Sequence, residues 1–369
     1  MSGPDSENHP SPTADVPLGV LDLVPVSAGE SIADALGNTT ALARRADQLG
    51  YRRYWITEHH LNASTAGLSA TLLTALVAAA TSHIRVGSAT LQLGHRTGLS
   101  VAEEWGLLDA LYPGRLDLGL GRAGWHPPEP APTDDAVQAP ASQRRLRGSN
   151  LFALHRQLLP RHNATSPDYH NQVAEVAGLL AGTHRVGDLL VAAVPAHRAQ
   201  VQLWVLGRTA SESAQVAGAL GLPFATNHHA SPATTMEAID AYRAAFRPSP
   251  TLSRPYVVIT ADVVVGPDEQ SARRAAVGHD VWTLANRTGA PTVFPTPQQA
   301  EAHTWTAPDR ELVADLGQAR LIGSARQVAD GLRGLRDRFD ADELLAVTTT
   351  FAHADRLRSY ELLAEQWQF

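Results

Sequence analysis

Short apolar segments alternate with helical stretches along most of this chain, and the period of that alternation constrains the fold more than any other feature. Segments with strand character begin at residues 54, 84 and 116, about 30 residues apart, the length of one βα unit. Regular alternation of β and α implies a parallel sheet, either open or closed. Strands are expected at 18–24, 54–57, 84–90, 116–120, 201–206, 222–226, 256–265 and 343–350. Helices are expected at 31–49, 68–82, 101–111, 150–159, 211–220, 234–246, 268–284, 326–339 and 355–366. Gly50 stops the first of these helices, and Pro113-Gly114 follows the third. Eight strands in this order favour a closed (β/α)8 TIM barrel over an open sheet, built as one domain over 18–369.

The pattern breaks twice, giving insertions after strands four and seven. Residues 121–143 contain Pro127, Pro128, Pro130, Pro132 and Pro140, a long loop where barrel enzymes place binding segments. Residues 287–310, rich in Pro, Thr and Ala, read as a mobile lid. Residues 160–200 read as irregular. The polar, Pro- and Ser-rich stretch 1–17 has no apolar h-region and reads as a disordered extension, not a signal peptide. No apolar run reaches membrane-spanning length, so a soluble, cytoplasmic protein is expected.

Two absences narrow the chemistry. The chain has no Cys, and all 30 basic residues are Arg. Thiolate nucleophiles, disulfides and Cys-ligated zinc are excluded. Schiff-base chemistry and the P-loop lysine are excluded with Lys. A phosphate must be held by Arg, hydroxyls or backbone N–H groups. The net charge is −7 and the densest basic run is only Arg144, Arg145 and Arg147, which argues against a nucleic-acid partner.

Several segments then stand out. Gly119-x-Gly121-x-x-Gly124 matches the dinucleotide fingerprint, but Pro127 and Pro128 fall where its helix must begin. A Rossmann NAD site is therefore rejected, leaving Arg122 as a cation just past a strand end. Glu58-His59-His60 closes the second strand. With 16 histidines in the chain, such a pair reads equally as a chance surface turn or as a catalytic position at a barrel rim. The turn from Gly207 through Arg208, Thr209 and Ser211 to Ser213 suits either simple helix capping or an anion site. Asn227-His228-His229 ends strand six, and Thr348-Thr349-Thr350 with His353 ends strand eight. His60, His228 and His353 are taken as substrate-pocket residues on the same rim. Asp22 reads equally as a hydrogen-bond partner inside the barrel or as a residue of the chemistry. No His and carboxylate spacing is diagnostic of a metal, and none is expected.

Together these segments resemble the bacterial luciferase-like flavin-dependent monooxygenases. The stretches that carry the likeness are Leu18-Gly-Val-Leu-Asp-Leu-Val24, Leu49-Gly-Tyr-Arg-Arg-Tyr-Trp-Ile-Thr-Glu-His-His60, Ile84-Arg-Val-Gly-Ser88, Val101-Ala-Glu-Glu104, Tyr112-Pro-Gly-Arg-Leu-Asp-Leu-Gly-Leu-Gly-Arg122, Trp204-Val-Leu-Gly207, Gly221-Leu-Pro-Phe224 and Tyr360-Glu-Leu-Leu363. They run in order from residue 18 nearly to the C-terminus. The first strand and closing segment look closest to a bacterial subgroup that includes antibiotic-biosynthesis tailoring enzymes.

The resemblance implies FMN as cofactor, used as FMNH2 with O2 to oxidise a small organic molecule, a polyketide-type intermediate among the candidates. It implies a homodimer and, with no NAD site in the chain, a separate flavin reductase. It places His59 as the catalytic acid/base and Arg122 on the flavin phosphate, with Gly207, Arg208, Thr209 and Ser211 completing that site. Ser88 and Ala89 would adjoin the isoalloxazine, in the turn with Thr90 where relatives carry a non-proline cis peptide. Gly94, Arg96 and Gly98 depart from the Pro, His and Pro common in relatives, and Arg208-Thr209 from Ser-Ser. Hydride transfer with F420 on the same fold, non-catalytic flavin binding, and a metal-dependent barrel hydrolase are the alternatives.

Overall fold

The computed structural model describes residues 15–122, 150–159 and 168–367, leaving aside the side chains of 152, 153 and 156. Eight strands form the centre: β1 Leu18–Asp22, β2 Arg53–Ile56, β3 Arg85–Gln92, β4 Leu116–Gly121, β5 Gln202–Gly207, β6 Phe224–Thr226, β7 Val257–Gly266 and β8 Glu343–Val347. Each pairs in parallel with the next, and β8 pairs with β1, so the sheet closes into a barrel. This is the TIM-barrel architecture that the βα period predicts. An extra strand, Leu321–Ser324, pairs with the last residues of β7 outside the ring.

Helices surround the barrel: α1 Ile32–Leu49, α2 Ala70–Ala80, α3 Gly98–Leu111, α4 Asn150–Leu158, α5 Tyr169–Ala181, α6 Glu212–Ala219 and α7 Thr235–Ala245. They continue as α8 Glu269–Ala275, α9 His279–Thr288, α10 Pro297–Glu301, α11 Ala307–Ala319, α12 Ala325–Phe339 and α13 His353–Gln366. No helix among the described residues is long and apolar enough to cross a membrane.

Strand alternation sorts the side chains into two cores. Leu21, Trp55, Trp204, Val258 and Leu345 point into the barrel. Val20, Tyr54, Ile56, Val257 and Ile259 point out and pack under the helices. A charged floor seals the N-terminal end of the barrel. Arg53 at the start of β2 forms ion pairs with Asp117 of β4 and Glu343 of β8, and none of the three is reached by solvent to any extent. Arg85 Nε donates to Asp117 Oδ1 at 2.8 Å, and Trp55 Nε1 donates to its Oδ2 at 2.9 Å. Buried charges persist only when paired in this way. The floor leaves the C-terminal end as the open one.

Asp22 corrects the sequence reading. It points outward, not into the barrel, and accepts from Thr39 of α1, Tyr54 of β2 and Arg356 of α13. The helix expected over 268–284 is two helices, α8 and α9, broken at Gly278, whose φ of 99° is left-handed. The segment 287–310, expected as a mobile lid, holds the end of α9, all of α10 and the start of α11, with non-helical stretches between them. Thr296 and Thr306 cap α10 and α11, each followed by Pro in the first turn. Thr and Pro there are helix-start chemistry, which composition alone mistakes for a loop. Within 160–200, Asp168 caps α5, which the sequence reading missed. Residues 1–14 and the Pro-rich stretch after Arg122 lie outside the described residues. Asp15 accepts from Arg333 of α12 at 2.8 and 2.9 Å, and the Pro17 carbonyl accepts from Leu344 N–H.

Candidate active site

A cavity of about 460 Å³ opens at the C-terminal end of the barrel, within the size range of small-molecule sites. Its wall comes from the exits of β1, β2, β5, β6 and β8, from Asp262 on β7, and from α9 and α11, which roof it.

His59 leaves β2 into this cavity. Its backbone N–H donates to the Gly67 carbonyl at 2.6 Å, and its Nδ1 is buried without a hydrogen-bond partner among the described residues. Burial pushes its pKa down to about 4, with His60, Arg208 and His155 acting in the same direction against Glu58. The ring is therefore neutral at pH 7. Glu58 points elsewhere: Oε2 accepts from the Ala70 N–H at 3.2 Å, and Oε1 lies 3.0 Å from His60 Nε2. His60 is thus drawn off the cavity toward Glu58, with its ring 5.9 Å from that of His95. Arg96, one of the departures from the resemblance, lies 3.7 Å from Glu58 and 3.3 Å from Glu104.

Arg208 and Thr209, at the exit of β5, line the cavity. The protein packed around it lowers the Arg208 pKa, although the residue keeps contact with solvent, and the neighbouring Arg287 adds to the effect. Arg287 on α9 is itself paired with Asp315 on α11. At the exit of β6 the structure selects His229, not His228. Phe224 points outward, and the same parity carries His228 outward onto Phe339, with ring centroids 5.3 Å apart. His228 Nδ1 pairs with Thr235 at 2.9 Å. His229 turns inward and its Nδ1 meets Thr260 Oγ1 at 2.6 Å. Burial brings the pKa of His229 to about 4 as well.

The sequence reading missed Asp262 and His279. On β7, Val258 faces the barrel interior, so Thr260 and Asp262 face it too. A carboxylate within the apolar run 256–265 was the available signal. Asp262 Oδ2 accepts from Arg320 Nε at 2.8 Å, and its Oδ1 lies 3.4 Å from His279 Nε2 at the start of α9. Arg320 and His279 hold the Asp262 carboxyl below the usual range, against the opposing effect of burial.

The remaining expected residues do not line this cavity. Ser88 Oγ bridges the Gly119 N–H and carbonyl, both at 3.0 Å. Ala89 sits in the barrel interior, and the Ala89–Thr90 peptide is cis, at the turn the resemblance singled out. Arg122 and Glu212 pair at 3.1 Å with 43% and 38% of their side chains exposed, a contact of small energetic weight. Gly207 is the last residue of β5, and Ser211 is the residue before α6. His353 begins α13, and among the described residues neither of its ring nitrogens has a partner. Of its rim neighbours, Thr349 reaches the cavity.

The donor set suits a flavin-type ring system. His59 Nδ1, Thr65 Oγ1, Trp282 Nε1 and Thr349 Oγ1 are buried, on the cavity wall and, among the described residues, unpartnered. An isoalloxazine edge presents donors and acceptors to satisfy such groups, whose isolation is otherwise costly. Leu23, Val347 and Trp282 supply apolar surface for its rings.

The sequence profile of the luciferase-like monooxygenases matches residues 16–342. The chain belongs to the luciferase-like monooxygenase family. It is 33% identical over 354 residues to the uncharacterized protein YvbT of Bacillus subtilis, covering 96% of this chain and 97% of that one. It is 31% identical over 348 residues to a luciferase-like monooxygenase of Escherichia coli, covering 94% and 96%. Among solved structures, apo-MsnO8 superposes with a TM-score of 0.76 at 31% identity, covering 95% of this chain and 97% of that one. An FMN-bound type II Baeyer–Villiger monooxygenase and an F420-dependent secondary alcohol dehydrogenase, each 15% identical, share the fold at TM-scores of 0.61 and 0.60.

Proposed function

We propose that the protein is a two-component monooxygenase, receiving reduced FMN from a separate reductase and oxidising a small organic molecule in the cavity. The observation that carries this reading is the neutral imidazole of His59, whose Nδ1 has no hydrogen-bond partner among the described residues, facing the cavity beside Arg208. Reduced flavin bound there would supply the electrons with which O2 delivers one oxygen atom to the substrate, the other leaving as water. His59, uncharged at pH 7, takes or returns a proton at its free ring nitrogen. Leu23, Val347 and Trp282 exclude water from the reacting centre. The roof is fastened by Asn62 and Ser64, both donating to Asn286 Oδ1 on α9 at 3.2 Å.

The test incubates the purified chain with chemically reduced FMN, O2 and a panel of small organic substrates. Incorporation of one atom from labelled O2 into a product is the expected result. F420 reduction by an alcohol without O2, or tight FMN binding with no turnover of any panel member, would overturn it.

A further inference from the structure

The cavity wall carries one guanidinium that no carboxylate among the described residues neutralises. Its two carboxylates are already committed: Asp262 to Arg320 at 2.8 Å, and Asp315 to Arg287. His59 and His229 are neutral at pH 7. Arg208 stands exposed in the same wall, and among the described residues its guanidinium has no ion-pair or hydrogen-bond partner. It lies near enough to His59, His229 and Arg287 for its charge to act on each. No cation is held beside another cation in a protein-lined space without cost.

We propose that Arg208 is the seat of a monoanionic group on the substrate, and that the substrate is an organic acid with an apolar body. This rests on the monooxygenase reading and names the substrate class for that site. Three observations support it. The uncompensated charge is a single one, which a carboxylate or sulfonate balances and a dianionic phosphate exceeds. The hydroxyls of Thr209, Ser231 and Thr234 stand on the same wall, and Thr234 Oγ1 donates to the Arg208 carbonyl, fixing this turn against the start of α7. The apolar surfaces of Leu23, Trp282 and Val347 share the cavity with the charge, so acid head and apolar tail both find a place.

The test measures binding of a series of carboxylates from butanoate to decanoate, with their matched amides, to the full chain at pH 7. FMN and riboflavin affinities, in both oxidation states, are measured alongside. In the native protein, acids should bind at least about tenfold tighter than amides, the size of a charge-assisted hydrogen bond. Arg208→Met should abolish that preference, Arg208→Lys should keep part of it, and neither should change the ratio of FMN to riboflavin affinity. Equal binding of acids and amides overturns the proposal. So does a fall in the FMN-to-riboflavin ratio in Arg208→Met, which would assign the seat to the cofactor's phosphate, or a loss of reduced-flavin binding alone, which would assign it to the flavin ring. Acid preference in a protein that neither binds flavin nor consumes O2 would sink the monooxygenase reading and leave the seat standing.

Discussion

Arg356 on α13 donates through Nη2 to Asp22 Oδ1 on β1 at 2.6 Å, joining residues 334 positions apart where solvent barely reaches either. Arg356 Nε also donates to the Thr348 carbonyl at 2.8 Å, so one guanidinium holds both sides of the β8–β1 seam. Burial acts to raise the Asp22 pKa. The charge of Arg356 and hydrogen bonds from Tyr54 and Thr39 outweigh it and hold that pKa below the usual value. A depressed carboxylate stabilises the fold above its unfolded pKa, and the contribution is lost as pH falls through the folded one. Arg356→Met should destabilise the fold by about 3–5 kcal/mol at pH 7, because it strands a buried carboxylate. The double change with Asp22→Leu should cost less than either single one. Urea midpoints measure both.

The buried histidines give a second pH signature, in the same direction and at higher pH. His59, His228 and His229 each have a pKa brought to about 4 by burial. The unfolded chain takes up these protons near pH 6.5, and the folded one refuses them until about pH 4. Stability should therefore fall as pH drops from about 6.5 to 4, with no contribution from these groups above that window. His228→Asn keeps a polar partner for Thr235 and removes one such group. The loss in urea midpoint between pH 7 and pH 5 should be smaller in this variant than in the native protein. An unchanged slope would contradict the assignment.

His59→Ala should lower turnover by about 10²–10⁴-fold, the ordinary worth of a positioned acid/base. Flavin affinity should stay within about threefold of native, since the cavity keeps its other donors. Steady-state O2 consumption and fluorescence titration with FMN separate the two effects. Equal loss of binding and turnover would make His59 a cofactor contact only.

The barrel was legible because parallel strands buried on both faces leave apolar runs at a fixed period, and that period survives any detail of packing. The site was less so. His59, Arg208 and Thr209 were recognisable as residues at strand exits. His229 and Asp262 required knowing which parity faces inward, and an error of one residue moves a side chain to the other face. That shift took His228 into the pocket on paper and put Asp22 inside the barrel. The roof was hidden for another reason. Thr296-Pro297 and Thr306 with Pro308 look like loop composition, and only the chain that follows shows them to be caps.

Two glycines with opposite surroundings test the packing of the closed barrel. A Cβ on Gly87 of β3 would lie 1.9 Å from the Asp117 carbonyl and 2.7 Å from its Cβ, on the strand that carries the floor's central carboxylate. Backbone cannot yield there without disturbing the Arg53 and Arg85 pairs, so Gly87→Ala should cost about 3 kcal/mol. Gly37 lies on the exposed face of α1 with nothing within 4 Å of its would-be Cβ. There the methyl meets no obstacle and the unfolded chain loses freedom, so Gly37→Ala should stabilise by about 0.5–1 kcal/mol. Melting temperatures of the two variants should move in opposite directions. If Gly87→Ala melts with the native protein, β3 and β4 are not packed as closely as the charged floor requires.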